Sequence, residues 1–189
     1  MADPADAPRI KVIVTAVEGA NITAALAAVH RQVYDPEPAV IVVAPDGEGL
    51  PADTVTAPTL EKAIGDTGPA FDYLWLLHAD ARPRPDALSA LVSELERNEA
   101  ALGGSKLLRA GTADELESIG SSTDVFGEPY TGIDEGEIDL QQYDVVREVA
   151  FVQSASMLVR RDLAQVDHQA VEQALIGGDH PGVARRKTQ

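Results

Sequence analysis

The strongest constraint on this chain is an alternation, through its first hundred residues, of short apolar runs with segments of helical spacing. Ile10 to Val14 (IKVIV), Ala39 to Val43 (AVIVV) and Phe71 to Leu77 (FDYLWLL) have strand length and are rich in β-branched or aromatic residues. Between the first two runs, Asn21 is placed to cap a helix to about Gln32, with Ile22, Leu26 and Val29 on one face. Thr59 is placed to cap a short helix over Leu60 to Ile64, and Pro85 sits well in the first turn of a helix running to Asn98. Ala100 to Leu108 gives a fourth short strand. Near-continuous apolar strands separated by helices predict an α/β fold, with a parallel sheet covered by helices on both faces.

The second half is less regular. Leu116 to Phe126, with Tyr130, reads as an antiparallel excursion, and Asp134 to Tyr143 is acidic and expected on the surface. Val145 to Val159 reads as one more strand with a polar interruption at Gln153 to Ser156. Leu163 to Leu175 has helical spacing, ended by Gly177-Gly178. These readings divide the chain into a disordered N-terminus (residues 1–8), one domain (9–162), and a C-terminal helix with a frayed tail (163–189).

Composition narrows the function. The 189 residues carry 31 Asp and Glu against 15 Lys and Arg, a formal net charge of −16, which argues against nonspecific nucleic-acid binding. With no cysteine, disulfides, thiolate zinc sites and thiol nucleophiles are excluded. No apolar stretch approaches the roughly 20 residues needed to span a bilayer, and Met1 to Pro8 lacks the basic start and apolar core of a signal peptide. A cytoplasmic location is expected, with any attachment to the inner face of the membrane made through a partner.

In a sheet of this kind, ligands bind beyond the carboxyl ends of the strands. Three loops hold that position, Thr15 to Ala20, Ala44 to Gly49 and His78 to Arg82, and each carries a carboxylate: Glu18, Asp46 and Asp80. A carboxylate directly after a buried strand is a natural ligand for Mg²⁺ or Mn²⁺, with a phosphate sharing the metal. The alternative is that all three are solvated loop acids, which an acidic composition supplies freely. No G-x-G-x-x-G follows the first strand, and no G-x-x-x-x-G-K-[ST], H-E-x-x-H or G-x-S-x-G occurs. The four histidines, His30, His78, His168 and His180, are too scattered to suggest a zinc site, and His30 and His168 read as surface or packing residues.

Four segments, in order and spacing, carry a family resemblance. Leu76-Leu77-His78-Ala79-Asp80-Ala81-Arg82-Pro83-Arg84-Pro85-Asp86-Ala87-Leu88 resembles the D-x-D-type segment of family 2 glycosyltransferases, an apolar strand ending in an acidic triplet before a Pro-rich turn and a helix. Val12-Ile13-Val14-Thr15 resembles that family's nucleotide-binding first turn, and Gly103-Gly104-Ser105-Lys106-Leu107-Leu108 its "G-P-K-L-L" strand. Arg147-Glu148-Val149 through Ser154-Ala155-Ser156-Met157-Leu158-Val159-Arg160-Arg161 resembles the strand ending in "M-L-V-R-R" near the acceptor site. The resemblance covers residues 9–162 and is nearest to actinobacterial members that build cell-envelope glycans.

That resemblance implies a GT-A (Rossmann-like) fold and inverting transfer of a sugar from a nucleotide-diphosphate donor to a glycan or lipid-linked acceptor. It implies Mg²⁺ or Mn²⁺ at Asp80, donor contacts from Thr15, Glu18, Asp46, His78 and Asp80, and an acceptor side near Ser154 and Ser156. A leaving diphosphate needs cation stabilisation, whereas the acceptor hydroxyl needs a separate base. The chain also departs from the pattern. His78 stands where the first acid of the triplet often lies, open to two roles: a metal or phosphate contact, or packing and hydrogen bonding. Ala79 ligates nothing, and Ala44-Pro45 replaces the usual acid after the second strand, with Asp46 two positions on as its candidate substitute. Asp162 to Gln189 contains no E-D-x-D-L-type motif, so no catalytic base is assigned. The expectation is an incomplete domain, either catalytic within a longer protein or surviving as a noncatalytic nucleotide-sugar-binding or interaction module.

Overall fold

A computed structural model describes residues 7–16, 21–44, 50–112, 114–123, 129–166 and 186–188. In chain order these form β1 (Ile10–Thr15), α1 (Ile22–His30), β2 (Ala39–Val43), β3 (Thr56–Ala57), α2 (Leu60–Gly65), β4 (Tyr73–His78) and α3 (Ala87–Arg97). There follow β5 (Leu102–Gly104), β6 (Leu107–Arg109), β7 (Leu116–Ser118), β8 (Ser122–Thr123), β9 (Pro129–Tyr130), β10 (Ser156–Arg160), α4 (Arg161–Val166) and β11 (Arg186–Thr188).

The main sheet has six strands in the order β3-β2-β1-β4-β10-β5. β1 through β4 run parallel, while β10 is antiparallel to both of its neighbours, β4 and β5. The result is an α/β, Rossmann-like, mostly parallel sheet. β1 shows why both faces need cover. Ile10, Val12 and Val14 point into a layer closed by Leu26 and Val29 of α1 and by Leu88, Leu91, Val92 and Leu95 of α3. Ile13 points the other way, into a layer closed by Ala63 and Ile64 of α2 and Ala164 of α4. Alternate residues of one strand thus feed two cores, and a run apolar at nearly every position is the outcome.

The helix starts follow local chemistry in two cases. Asn21 Oδ1 accepts from Ala24 N at 3.0 Å, and Thr59 Oγ1 from Lys62 N at 3.1 Å, each satisfying an orphan amide of the first turn. α3 is different. Pro85 lies in the turn before the helix rather than inside it, and Asp86 makes no side-chain cap. The cap comes from another element: Gln32 Oε1 accepts from Leu88 N at 3.0 Å, while Gln32 Nε2 donates to Arg84 O at 2.7 Å.

Three expectations need correction. Ala100 to Leu108 is two strands, broken at Ser105-Lys106, with β5 at the edge of the main sheet and β6 paired to β7 and β11 in a second sheet. Gly104 explains the tight cover on β5, since a Cβ there would lie 2.0 Å from Val152 Cγ1. Val145 to Val159 is a strand only from Ser156 onward; Val145 and Val146 are exposed, and Phe151 makes a lone bridge to Ser121. The tail is not frayed throughout, because Arg186–Thr188 pairs with β6. Most of the proposed Leu163 to Leu175 helix and all of residues 1–6 lie outside the described residues.

The acidic segment 134–143 is largely exposed, but it is anchored. Lys106 Nζ sits 2.7 Å from Asp139 Oδ2 and also pairs with Asp144, and the Lys106 and Asp139 side chains are 13% and 4% exposed. Burial on its own lowers the Lys106 pKa, yet its hydrogen bonds to Asp139 and Asp144 and their negative charge outweigh that, leaving the ammonium harder to deprotonate than usual.

Candidate functional site at the switch point

The carboxyl ends of β1 and β4 meet at Thr15 and His78, which are register partners. From β1 the chain crosses through α1 to β2 on one side; it then returns through β3 and α2 to β4 on the other. Because α1 and α2 lie on opposite faces, the two connections part at this point, over Thr15 and His78, which is where sheets of this kind bind their ligands.

The loop after β4 is held from below. Ala79 N donates to Thr15 O at 3.0 Å, prolonging the β1–β4 ladder by one bond, and Ala81 N donates to His78 O at 2.9 Å. Ala79 and Ala81 are both fully buried, whereas Asp80 between them is partly exposed. Two small side chains thus fix a turn around one carboxylate. Among the described residues that carboxylate has no hydrogen-bond or ion-pair partner. Thr15 is half-buried, its hydroxyl making a long 3.5 Å contact to Leu77 O. Glu18 and Asp46 lie outside the described residues.

β10 brings its N-terminal end to the same edge of the sheet, so Ser154 and Ser156 join the site from a distance in sequence. His78 Nε2 and Ser154 Oγ are 3.1 Å apart, and His78 N donates to Ala155 O at 3.3 Å. The His78 side chain thus makes a hydrogen bond within the protein, at the end of β4 beside Thr15. Ser154 is buried beneath it. Ser156 is deeper still, at 0% exposure: Trp75 Nε1 donates to its Oγ at 3.1 Å, and Ser105 Oγ lies 2.9 Å away. The expectation that Ser156 faces an acceptor is therefore replaced by a core role, in which its hydroxyl ties β10 to β4 and to the break after β5.

Arg82, legible in sequence only as a loop residue, links two loops at this point. Its Nη1 donates to Ala79 O at 2.9 Å and Ala81 O at 2.6 Å, and its Nη2 to Asn21 O at 3.3 Å. The guanidinium thus joins the turn carrying Asp80 to the start of α1. Among the described residues, no three His, Asp or Glu side chains gather closely enough to hold a metal ion by themselves.

A separate cleft lies away from this point. About 820 Å³ in volume, it runs between α3, β5 and residues 143–153, and its lining includes Glu94, Lys106, Arg147, Glu148 and Gln153. Asp80 and His78 are not part of it. Strand-end geometry is the better guide to the site here, because an open groove beside an edge strand follows simply from the chain leaving the sheet.

No protein-family model matches the chain, and no curated protein matches it. Among solved structures it is similar to 4-diphosphocytidyl-2C-methyl-D-erythritol synthase from Anaerococcus prevotii, at 12% identity and a TM-score of 0.40 over 96% of this chain and 88% of that one. A likeness at that level carries no argument about activity, and the fold assignment stands on the sheet itself. No helix among the described residues is long and apolar enough to cross a membrane.

Proposed function

We propose that this chain is a family 2 glycosyltransferase-like protein that binds a nucleotide-diphosphate sugar over Thr15 and Asp80. The observation that carries the reading is the switch point: the best-matched motif residue, Asp80, stands there with a carboxylate that has no partner among the described residues, on a turn tied to Thr15 through Ala79. A divalent cation fits this donor set. Mg²⁺ and Mn²⁺ are satisfied by one or two carboxylates, filling their other positions with water and phosphate oxygens. Asp80 would hold the ion, whose charge offsets that of the departing diphosphate. The remaining residues position: Ala79 and Ala81 hold the turn, and Ser154 fixes the His78 ring. Where the machinery is complete, the sugar passes to a glycan or lipid-linked acceptor.

A noncatalytic nucleotide-sugar-binding module is the second reading. It is favoured by Ala44-Pro45 standing where the family carries an acid after the second strand.

Calorimetric titration with UDP-, GDP- and dTDP-sugars, with and without Mn²⁺, tests both. Binding that Mn²⁺ strengthens is expected, with that gain removed in Asp80→Ala. Failure to bind any of the three overturns the donor site. Slow metal-dependent hydrolysis of the bound donor separates the enzyme from the module.

A further inference from the structure

Arg82 is the unusual group at this switch point. The chain has about two acids for every base, 31 against 15, yet among the described residues no carboxylate lies within ion-pair distance of this guanidinium. Its hydrogen-bond partners among the described residues are three neutral carbonyls, those of Ala79, Ala81 and Asn21. Those bonds use three of its five N–H groups, leaving the Nε proton and one Nη2 proton. The carbonyls also hold the group still, so the ordering cost of a long side chain is already met before any ligand arrives. A half-buried, fixed cation with two donors unused among the described residues, two residues from Asp80 and bonded to the first residue before α1, is arranged to receive an anion.

We propose that Arg82 is a phosphate-contact residue of this site, its remaining N–H edge taking oxygens of the ligand's diphosphate from the side opposite Asp80. This rests on the nucleotide-sugar reading above and adds to it a direct protein contact that works without metal. It assigns the two residues different shares: Asp80 acts through a cation and fails in chelator, whereas Arg82 acts directly and does not.

The test is titration of the wild type, Arg82→Gln and Arg82→Lys with UDP, GDP and dTDP, in EDTA and in Mn²⁺, across a range of salt. For the nucleotide that binds, Arg82→Gln is expected to weaken affinity roughly 10- to 100-fold in both conditions, the scale of a charged hydrogen bond. It should also flatten the salt dependence, and Arg82→Lys, which keeps the charge, should retain the wild-type salt slope. Binding by Arg82→Gln within twofold of wild type overturns the assignment and leaves the nucleotide reading standing. Equal losses in both variants with an unchanged salt slope also overturn it, since that pattern reports a displaced loop. No binding by the wild type overturns the nucleotide reading and this inference together.

Discussion

Ser156→Ala probes the most deeply buried polar contact at the site. Trp75 and Ser156 are both 0% exposed, and an indole N–H donates but never accepts. Its partner is Ser156 Oγ at 3.1 Å. Alanine removes that acceptor and leaves the N–H facing an apolar layer, at a cost of about 1–3 kcal/mol. Ser105, 2.9 Å from the same hydroxyl, is only partly buried and can rehydrate, so Ser105→Ala should cost no more than about 1 kcal/mol. For a chain of this size each kcal/mol moves Tm by about 2–4 °C, which places Ser156→Ala roughly 6 °C below wild type. Urea unfolding followed by circular dichroism measures both changes, and it serves equally in a Trp75→Phe background. With the indole N–H gone, the cost of Ser156→Ala should fall by about 1 kcal/mol or more. Equal costs for the two serines, or an unchanged cost in the Phe background, would refute the reasoning.

Two further outcomes follow from buried charge. Lys106→Met leaves Asp139 buried without its lysine, a loss of about 3 kcal/mol in local stability. Hydrogen exchange should show it as roughly 100-fold faster exchange of the Leu116 and Asp139 amides, bonded to Glu137 O and Asp114 O, with the β1 and β4 amides unchanged. Lys11, 8% exposed with Nζ 3.2 Å from Ala63 O, has its pKa lowered by burial, against a smaller opposing pull from Asp66. The unfolded chain therefore binds more protons between the lowered pKa and the ordinary lysine value, so stability rises with pH in that window. Lys11→Met lacks this term. Its stability advantage over wild type should be greatest near neutral pH and shrink as pH rises toward about 10, as read by urea unfolding at each pH.

How much of this was legible in sequence depended on the range of the interaction responsible. Asn21 and Thr59 bond to amides three residues away, and the strands β1, β2 and β4 announce their burial on both faces through composition. The α3 cap was not legible, because Gln32 reaches it from 56 residues away and nothing near Asp86 records the fact. The reading of Val145 to Val159 failed for a related reason. Apolar residues there have strand composition, but Val145, Val146 and Phe151 stay exposed, and only Ser156 onward finds neighbours in β4 and β5. The places of Thr15 at the end of β1 and of Asp80 just past β4 are legible from the apolar runs before them. The bonds of Arg82 are not legible, since its carbonyl partners lie in two separate loops, and the burial of Ser156 is not legible because a hydroxyl looks the same in sequence whether it faces solvent or Trp75.

The antiparallel placement of β10 has a consequence for how the molecule is made. A chain emerging from the ribosome can assemble β1 to β4 with their helices, and at that stage β4, the strand of Trp75, ends the sheet with one side of its backbone unpaired. Residues 79–155 must be synthesised before Ser156–Arg160 arrives to cover it. An apolar strand with an open edge is a template for pairing with other chains. The nascent protein is therefore most at risk of misassociation during that interval, and the strand that completes the candidate site is also the one that closes the edge.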